Sequence, residues 1–412
     1  MIAQTSTPPA LTLPRRSPRT TPRTPARAEN AGPRFTTDGS PELEAHLAHS
    51  CDRIAAGIRG LVPRGRLEAI LLGGGYGRGE GGVLRTPTGD RPYNDLEFYV
   101  CLQGNRHLNE ARLGRALHVL GEILTPQVGV EVEFKITSLG EMARSGISMF
   151  SYDLALGHRW LVGREDLLAA CAHHRVAEKI PLSEATRLLM NRCTGLLFAQ
   201  ERLMRREFTA ADADFVRRNL GKAQLALGDA VLVNHGQYHW SVRERNARLN
   251  RLAANEKMPW LEEICRHHAV GVEFKLHPER CTEPRDALRE RYAPLAALAE
   301  KIWLWLERRR IGTLFGSARD YALSAPNKWP ESSPARNMLV NLKVLGVRPL
   351  LRACAGCHPR ERVLHALCLL LWEPATLTSP ELLECVQSEL QTDAKTFPDL
   401  VRAYRDLWSK VN

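Results

Sequence analysis

No stretch of eighteen apolar residues occurs in the 412-residue chain, so no membrane-spanning helix is expected. The opening segment, MIAQTSTPPALTLPRRSPRTTPRTPARAENAG, lacks the basic, apolar and small-residue layout of a secretory leader. Nothing apolar follows Arg15-Arg16, which argues against twin-arginine export. The ten cysteines are scattered and mostly lack paired spacing, as suits a reducing cytoplasm, and a cytoplasmic location is expected. Cys354-Ala355-Gly356-Cys357-His358 matches the haem c attachment pattern, but Pro359 and an apolar helix follow it, so no haem is expected. Zinc would need a second ligand pair, and only Cys368 and His365 lie near. No internal repeat is apparent.

What is present is a basic protein of ordinary globular composition, 44% apolar and 25% charged, with net charge +11. The charge is uneven: +4 over residues 1–40, −1 over 41–180 and +8 over 181–412. A positive surface favours phosphate-bearing or other anionic partners, although arginine-rich helices also carry such charge as a solvated face. Residues 1–40, rich in Pro, Thr and Arg, bury too little to offset their ordering entropy and are expected to form a disordered basic arm. Leu43, Leu47, Ile54, Ile58 and Leu61 then recur at helical spacing, with Ser40 as cap and Pro41 at the first helical position.

The chain is organised around residues 71–100, LLGGGYGRGEGGVLRTPTGDRPYNDLEFYV. An apolar strand over Leu67–Leu72 runs into a turn, Gly73 to Gly82, that holds seven glycines. A polar loop leads to a second strand beginning Asp95-Leu96-Glu97. Alternation puts Asp95 and Glu97 on one face, about 7 Å apart. Two carboxylates so placed repel unless a cation or proton lies between them. Beside a turn that offers backbone N–H groups, the natural occupant is Mg²⁺ carrying a nucleoside triphosphate. Gly77-x-Gly79-x-x-Gly82 formally matches a dinucleotide fingerprint, but a loop and a strand follow where that fingerprint needs a helix. The Gly-Lys-Ser/Thr ending of a P-loop is missing. A crossover helix over Leu108–Leu124 and a strand over Val128–Thr137 come next. On that strand Glu131 and Glu133 share the face opposite Val130, Val132, Phe134 and Ile136.

These residues resemble the nucleotidyltransferase superfamily that includes DNA polymerase beta and the aminoglycoside and minimal nucleotidyltransferases. Gly74-Gly75 with Tyr76-Gly77-Arg78-Gly79 matches its turn, and Asp95-Leu96-Glu97 its acidic strand. The likeness covers about residues 41–170. Gly75 stands where the family has Ser, and the loop before the acidic strand is longer than the family norm. The resemblance implies an α/β (α+β) nucleotidyltransferase domain with a small mixed sheet over 41–180, followed by a large all-α helical domain over 181–412. It implies two Mg²⁺ ions on Asp95, Glu97 and a third carboxylate from Glu131 or Glu133. Glu131, set deeper among apolar neighbours, is preferred. It further implies an NTP donor, with ATP expected, gripped by Gly74, Gly75, Tyr76, Gly77, Arg78 and Gly79.

Short helices are expected at Ser138–Ser145 and after Gly163, with a strand ending near Val162. Beyond Ser183 the pattern is helical, and PNKWPESSP at 326–334 suggests a division into two lobes. Lys222 and Asp229 fall on one helical stripe. Lys222 is assigned to phosphate by analogy with two-domain relatives. Asp229, inside an apolar run, must be paired, with Arg243 or Arg245 as partner. Arg360 and His365 fit the spacing of a helical ribonuclease signature only loosely. A helical part carrying +8 suits a cationic aminoglycoside poorly. An anionic acceptor (a phosphorylated sugar or a nucleic-acid end) or a protein hydroxyl fits better. The alternative is a catalytically silent relative that binds nucleotide or a partner through its basic helices.

Overall fold

The computed structural model describes residues 34–256, 258–325, 327–346 and 356–411. The arm up to residue 33, Pro326 of the segment expected to divide two lobes, and residues 347–355, which include Cys354, lie outside the described residues. Residues 35–412 form one compact unit. Phe35 and Thr36, expected in the arm, are instead buried, and Thr36 forms a bridge to Gly81.

The first part alternates helices and strands. Helix α1 (Pro41–Leu61) starts as its sequence dictates, with the Ser40 side chain accepting from Leu43 N and Pro41 at the first position. Strand β1 (Leu67–Leu72) leads into a one-turn helix, α2 (Gly74–Gly77). The expected polar loop is instead a hairpin, β2 (Val83–Thr86) and β3 (Gly89–Pro92). Pro87 occupies its turn and Pro92 its last position, where a missing N–H does no harm. Strand β4 (Leu96–Leu102), helix α3 (Arg106–Val128) and strand β5 (Val132–Thr137) follow. The expected strand start at Val128 is corrected, because α3 continues past Pro126 until Gly129, in the left-handed region, ends it. Helix α4 (Leu139–Arg144), capped by Ser138, helix α5 (Met149–Leu156) and strand β6 (Arg159–Val162) complete this part, before 3₁₀ turns over Glu165–Lys179.

The sheet order is β5-β4-β1-β6, with β4 and β5 parallel and the other pairs antiparallel. One face, carrying Ile70, Leu72, Leu96, Phe98 and Val100, packs on α1 and α3. The other carries Ala69, Leu71, Tyr99 and Cys101 against α4, α5 and Leu168. Thus a small mixed sheet is covered on both faces.

Helices dominate the remainder: α6 (Leu182–Leu203), α7 (Ala210–Asn234), α8 (Val242–Asn255), α9 (Leu261–Leu276) and α10 (Arg285–Ile311). They are followed by α11 (Ala318–Leu323), α12 (Pro334–Leu345), α13 (Pro359–Trp372), α14 (Pro380–Leu390) and α15 (Phe397–Val411). A single apolar cluster runs from Tyr152 to Leu407 and includes Trp329, so the core continues across the segment expected to separate two lobes. His358 has a structural place, its side chain accepting from Arg360 N at the start of α13 and its ring stacked on Trp329. His365 bonds Glu389. No helix among the described residues is long and apolar enough to cross a membrane.

Candidate functional site

The β4–β5 register builds an acidic cluster. Leu96 pairs with Val132 and Glu97 with Glu133, on neighbouring parallel strands. Asp95 is the residue just before β4 and projects to the same side as Glu97. One oxygen from each of Asp95, Glu97 and Glu133 lies within 4.8 Å of the other two. Burial in the cleft and then the Glu97 charge push the Asp95 carboxyl up, although by surface area the residue is exposed. Lys135, two residues beyond Glu133, brings its Nζ to 3.4 Å from Glu97 and 3.0 Å from Glu133. Burial pulls the Lys135 ammonium down, but these two carboxylates outweigh it and the net shift is upward. Tyr99 donates to Glu97 at 3.1 Å.

Glu131 does not join this cluster, which corrects the preference for it over Glu133. Because β5 starts only at Val132, Glu131 sits on the preceding turn and is exposed, with its carbonyl accepting from Leu96 N at 2.8 Å. It does line the adjoining cleft.

The glycine turn lies against the acids. Gly74 has φ +61°, and a Cβ there would come within 3.4 Å of Glu97 Oε2. Gly77 has a packing role, since a Cβ would lie 2.1 Å from the Leu72 carbonyl. Gly75 and Gly77 are buried. Tyr76 is fully buried, its hydroxyl donating to Gly82 O at 2.8 Å and accepting from Tyr93 N at 2.9 Å. Its side chain is therefore a strut within the fold and does not line the cleft. Gly79 has φ +76° and carries the chain away. Of the turn residues, Arg78 lines the cleft, with its Nη1 3.4 Å from Asp153.

The cleft, of about 860 Å³, is bounded by the sheet part on one side and by α6, α7 and α9 on the other. Lys222 lines it, as does Asp95. Burial and the neighbouring Arg192 and Arg218 charges pull Lys222 down, while Asp95 acts in the opposite direction. Several cations of this wall escaped the sequence reading, among them Arg218 and Arg280. Arg192 on α6 and Lys275 on α9 both line the cleft, and neither makes an ion pair among the described residues. Burial and the charges of Arg78 and Arg245 bring Lys275 down to about 8. Its signal was faint: a lysine between Phe274 and Leu276, both buried. Asp229 forms a buried ion pair with Arg245 and also bonds His268. Arg245 is thus the partner, and Arg243 is not.

Both walls are tied together at the cleft's edge. Buried Glu80, from the glycine turn, accepts from Ser241 Oγ at 2.6 Å, Val242 N at 2.8 Å and Arg243 N at 3.4 Å, filling the start of α8. Asp153, next to Arg78, accepts from the Tyr238 hydroxyl at 3.2 Å. The result is a trio of convergent carboxylates of which Asp95 lines the cleft, opposite arginines and lysines of the helices. No family model, no curated protein and no solved structure matches this chain.

Proposed function

We propose that the protein is a metal-dependent nucleotidyltransferase that moves a nucleoside monophosphate from an NTP to an acceptor hydroxyl. The observation that carries this reading is the convergence of Asp95, Glu97 and Glu133 beside the glycine turn, with Asp95 bordering a cleft whose far wall is cationic. Hard carboxylate oxygens suit Mg²⁺, and an ammonium already lies between two of them, so the donor set fits a cation. Asp95, Glu97 and Glu133 would hold the metal. Bound there, two Mg²⁺ ions would neutralise the triphosphate and lower the pKa of the acceptor hydroxyl.

The chain's own residues do the rest. Arg78, Arg192 and Lys275 supply charge-assisted hydrogen bonds to phosphate oxygens. Phe150, 52% exposed at the cleft and packed on Tyr99, offers a face for a base. The acceptor oxygen attacks the α-phosphorus, the bond to the β-phosphate oxygen breaks, and pyrophosphate leaves. The hydroxyl proton passes to Glu133 or to solvent. Positioning and charge neutralisation account for most of the rate, as phosphoryl chemistry requires.

One observation favours a second reading. Lys135 already bridges Glu97 and Glu133, as a counter-ion would in a silent relative that binds nucleotide without turnover. Incubation with each α-labelled NTP, Mg²⁺ and cell extract separates the two. Label transfer by the wild type that is lost in Asp95→Asn supports the enzyme. Nucleotide binding without transfer, unchanged in Asp95→Asn, supports the silent binder.

A further inference from the structure

We propose that the cleft contains a second anion subsite, formed by Tyr93, Arg218, Lys222 and Arg280, that takes the phosphate of a small phosphorylated acceptor. This rests on the nucleotidyl-transfer reading and adds the chemical class of the acceptor. Two groups of cations line the cleft that Asp95 borders. In one, Lys275 neighbours Arg78 and Glu80 of the glycine turn. In the other, Arg280 lies over the Tyr93 ring and shares Asp214 with Arg218, which is one helical turn from Lys222 on α7. In-line transfer puts the leaving pyrophosphate and the attacking hydroxyl on opposite sides of the α-phosphorus. With the glycine-turn side serving the pyrophosphate, the Tyr93 side receives the acceptor.

That side has the donors a phosphate monoester needs. The Tyr93 hydroxyl is buried and has no hydrogen-bond partner among the described residues, and the same holds for Arg218 Nε. Lys222 has no ion pair there either. Asp214 is shared, 3.5 Å from Arg218 Nε and 3.1 Å from Arg280 Nη1. Its single charge cannot balance both guanidinium groups. The side chains of Arg218 and Arg280 are 42% and 67% exposed, so they can turn to a ligand without moving the backbone. Arg280 lies 5.6 Å over the Tyr93 ring, and Phe274 packs edge-on to that ring at 6.3 Å, an apolar floor beside the charges. A neutral acceptor would leave the positive charge of this group unbalanced. The cleft volume, about 860 Å³, leaves room for a second small molecule beside a nucleotide.

Calorimetry on the full chain, saturated with Mg²⁺ and α,β-methylene-ATP, tests this with ribose 5-phosphate against ribose. Ribose 5-phosphate should bind at least about tenfold tighter than ribose. Arg218→Gln/Arg280→Gln should remove that preference while nucleotide affinity changes less than about threefold. Tyr93→Phe, a milder change, should weaken the sugar phosphate alone. Equal binding of ribose and its phosphate would overturn the proposal. So would a double variant that loses nucleotide affinity as severely, since the cations would then serve the donor, and so would binding confined to an oligonucleotide with a free 3′-hydroxyl. Sugar-phosphate binding without any nucleotide binding would keep the subsite and remove the transfer reaction. Nucleotide binding without preference for the phosphorylated sugar would do the reverse.

Discussion

Glu131 and Glu133 differ by one strand step, and that step decides which can act. Glu133→Gln should lower label transfer by about a hundredfold or more, and Glu131→Gln by less than about fivefold, in the same assay. Asp95→Asn should abolish transfer without lowering the melting temperature, because Asp95 is ionised against both burial and Glu97. Its raised carboxyl pKa means that the folded state holds the proton more tightly than the unfolded chain, so its charge costs stability at neutral pH. Lys275 gives a pH signature. Its ammonium is held near 8, so pyrophosphate binding measured by calorimetry should be full below pH 8 and weaken as pH rises through it. Lys275→Met should bind weakly at pH 7 and lose that dependence. At this scale the sequence was half legible. Period-two alternation put Asp95 and Glu97 on one face of one strand and Glu131 and Glu133 on one face of another, and would have put Lys135 with the latter pair. What it could not reveal was that α3 runs to Val128, which delays β5 and leaves Glu131 on a turn.

At the scale of elements, the glycine turn is a joint as much as a cradle. Glu80 satisfies the start of α8 across 161 residues of sequence, so Glu80→Ala strands buried N–H groups at that helix. The expected cost is about 3 kcal/mol, read from urea unfolding, with Glu80→Gln recovering part of it. Helix starts were readable where a cap preceded a periodic run, as at Ser40 and Ser138. The β2–β3 hairpin was not, because Pro87 and Pro92 resemble strand breakers until their places at the turn and the strand end are known. The fixed partner of Asp229 was equally hidden. Two arginines of the same helix were available, and only the packing of α8 on α7 selects Arg245.

Across the whole molecule, the order of a small sheet followed by a long run of helices follows from the hydrophobic periods. The way the helices turn back over the sheet does not, since it depends on long-range contacts such as Glu80 with α8 and Asp153 with Tyr238. That closure gathers Arg192, Lys222 and Lys275, from three separate helices, opposite Asp95. The account therefore stands on the acidic trio acting as a metal site within this cleft. Mn²⁺ binding measured by electron paramagnetic resonance, with and without α,β-methylene-ATP, tests it most directly. Wild-type protein should take up Mn²⁺ more tightly when the nucleotide is present, and Asp95→Asn and Glu97→Gln should each weaken uptake by about tenfold or more, the first of them while melting at no lower a temperature. Equal Mn²⁺ uptake by all three proteins, or uptake indifferent to nucleotide, would contradict it.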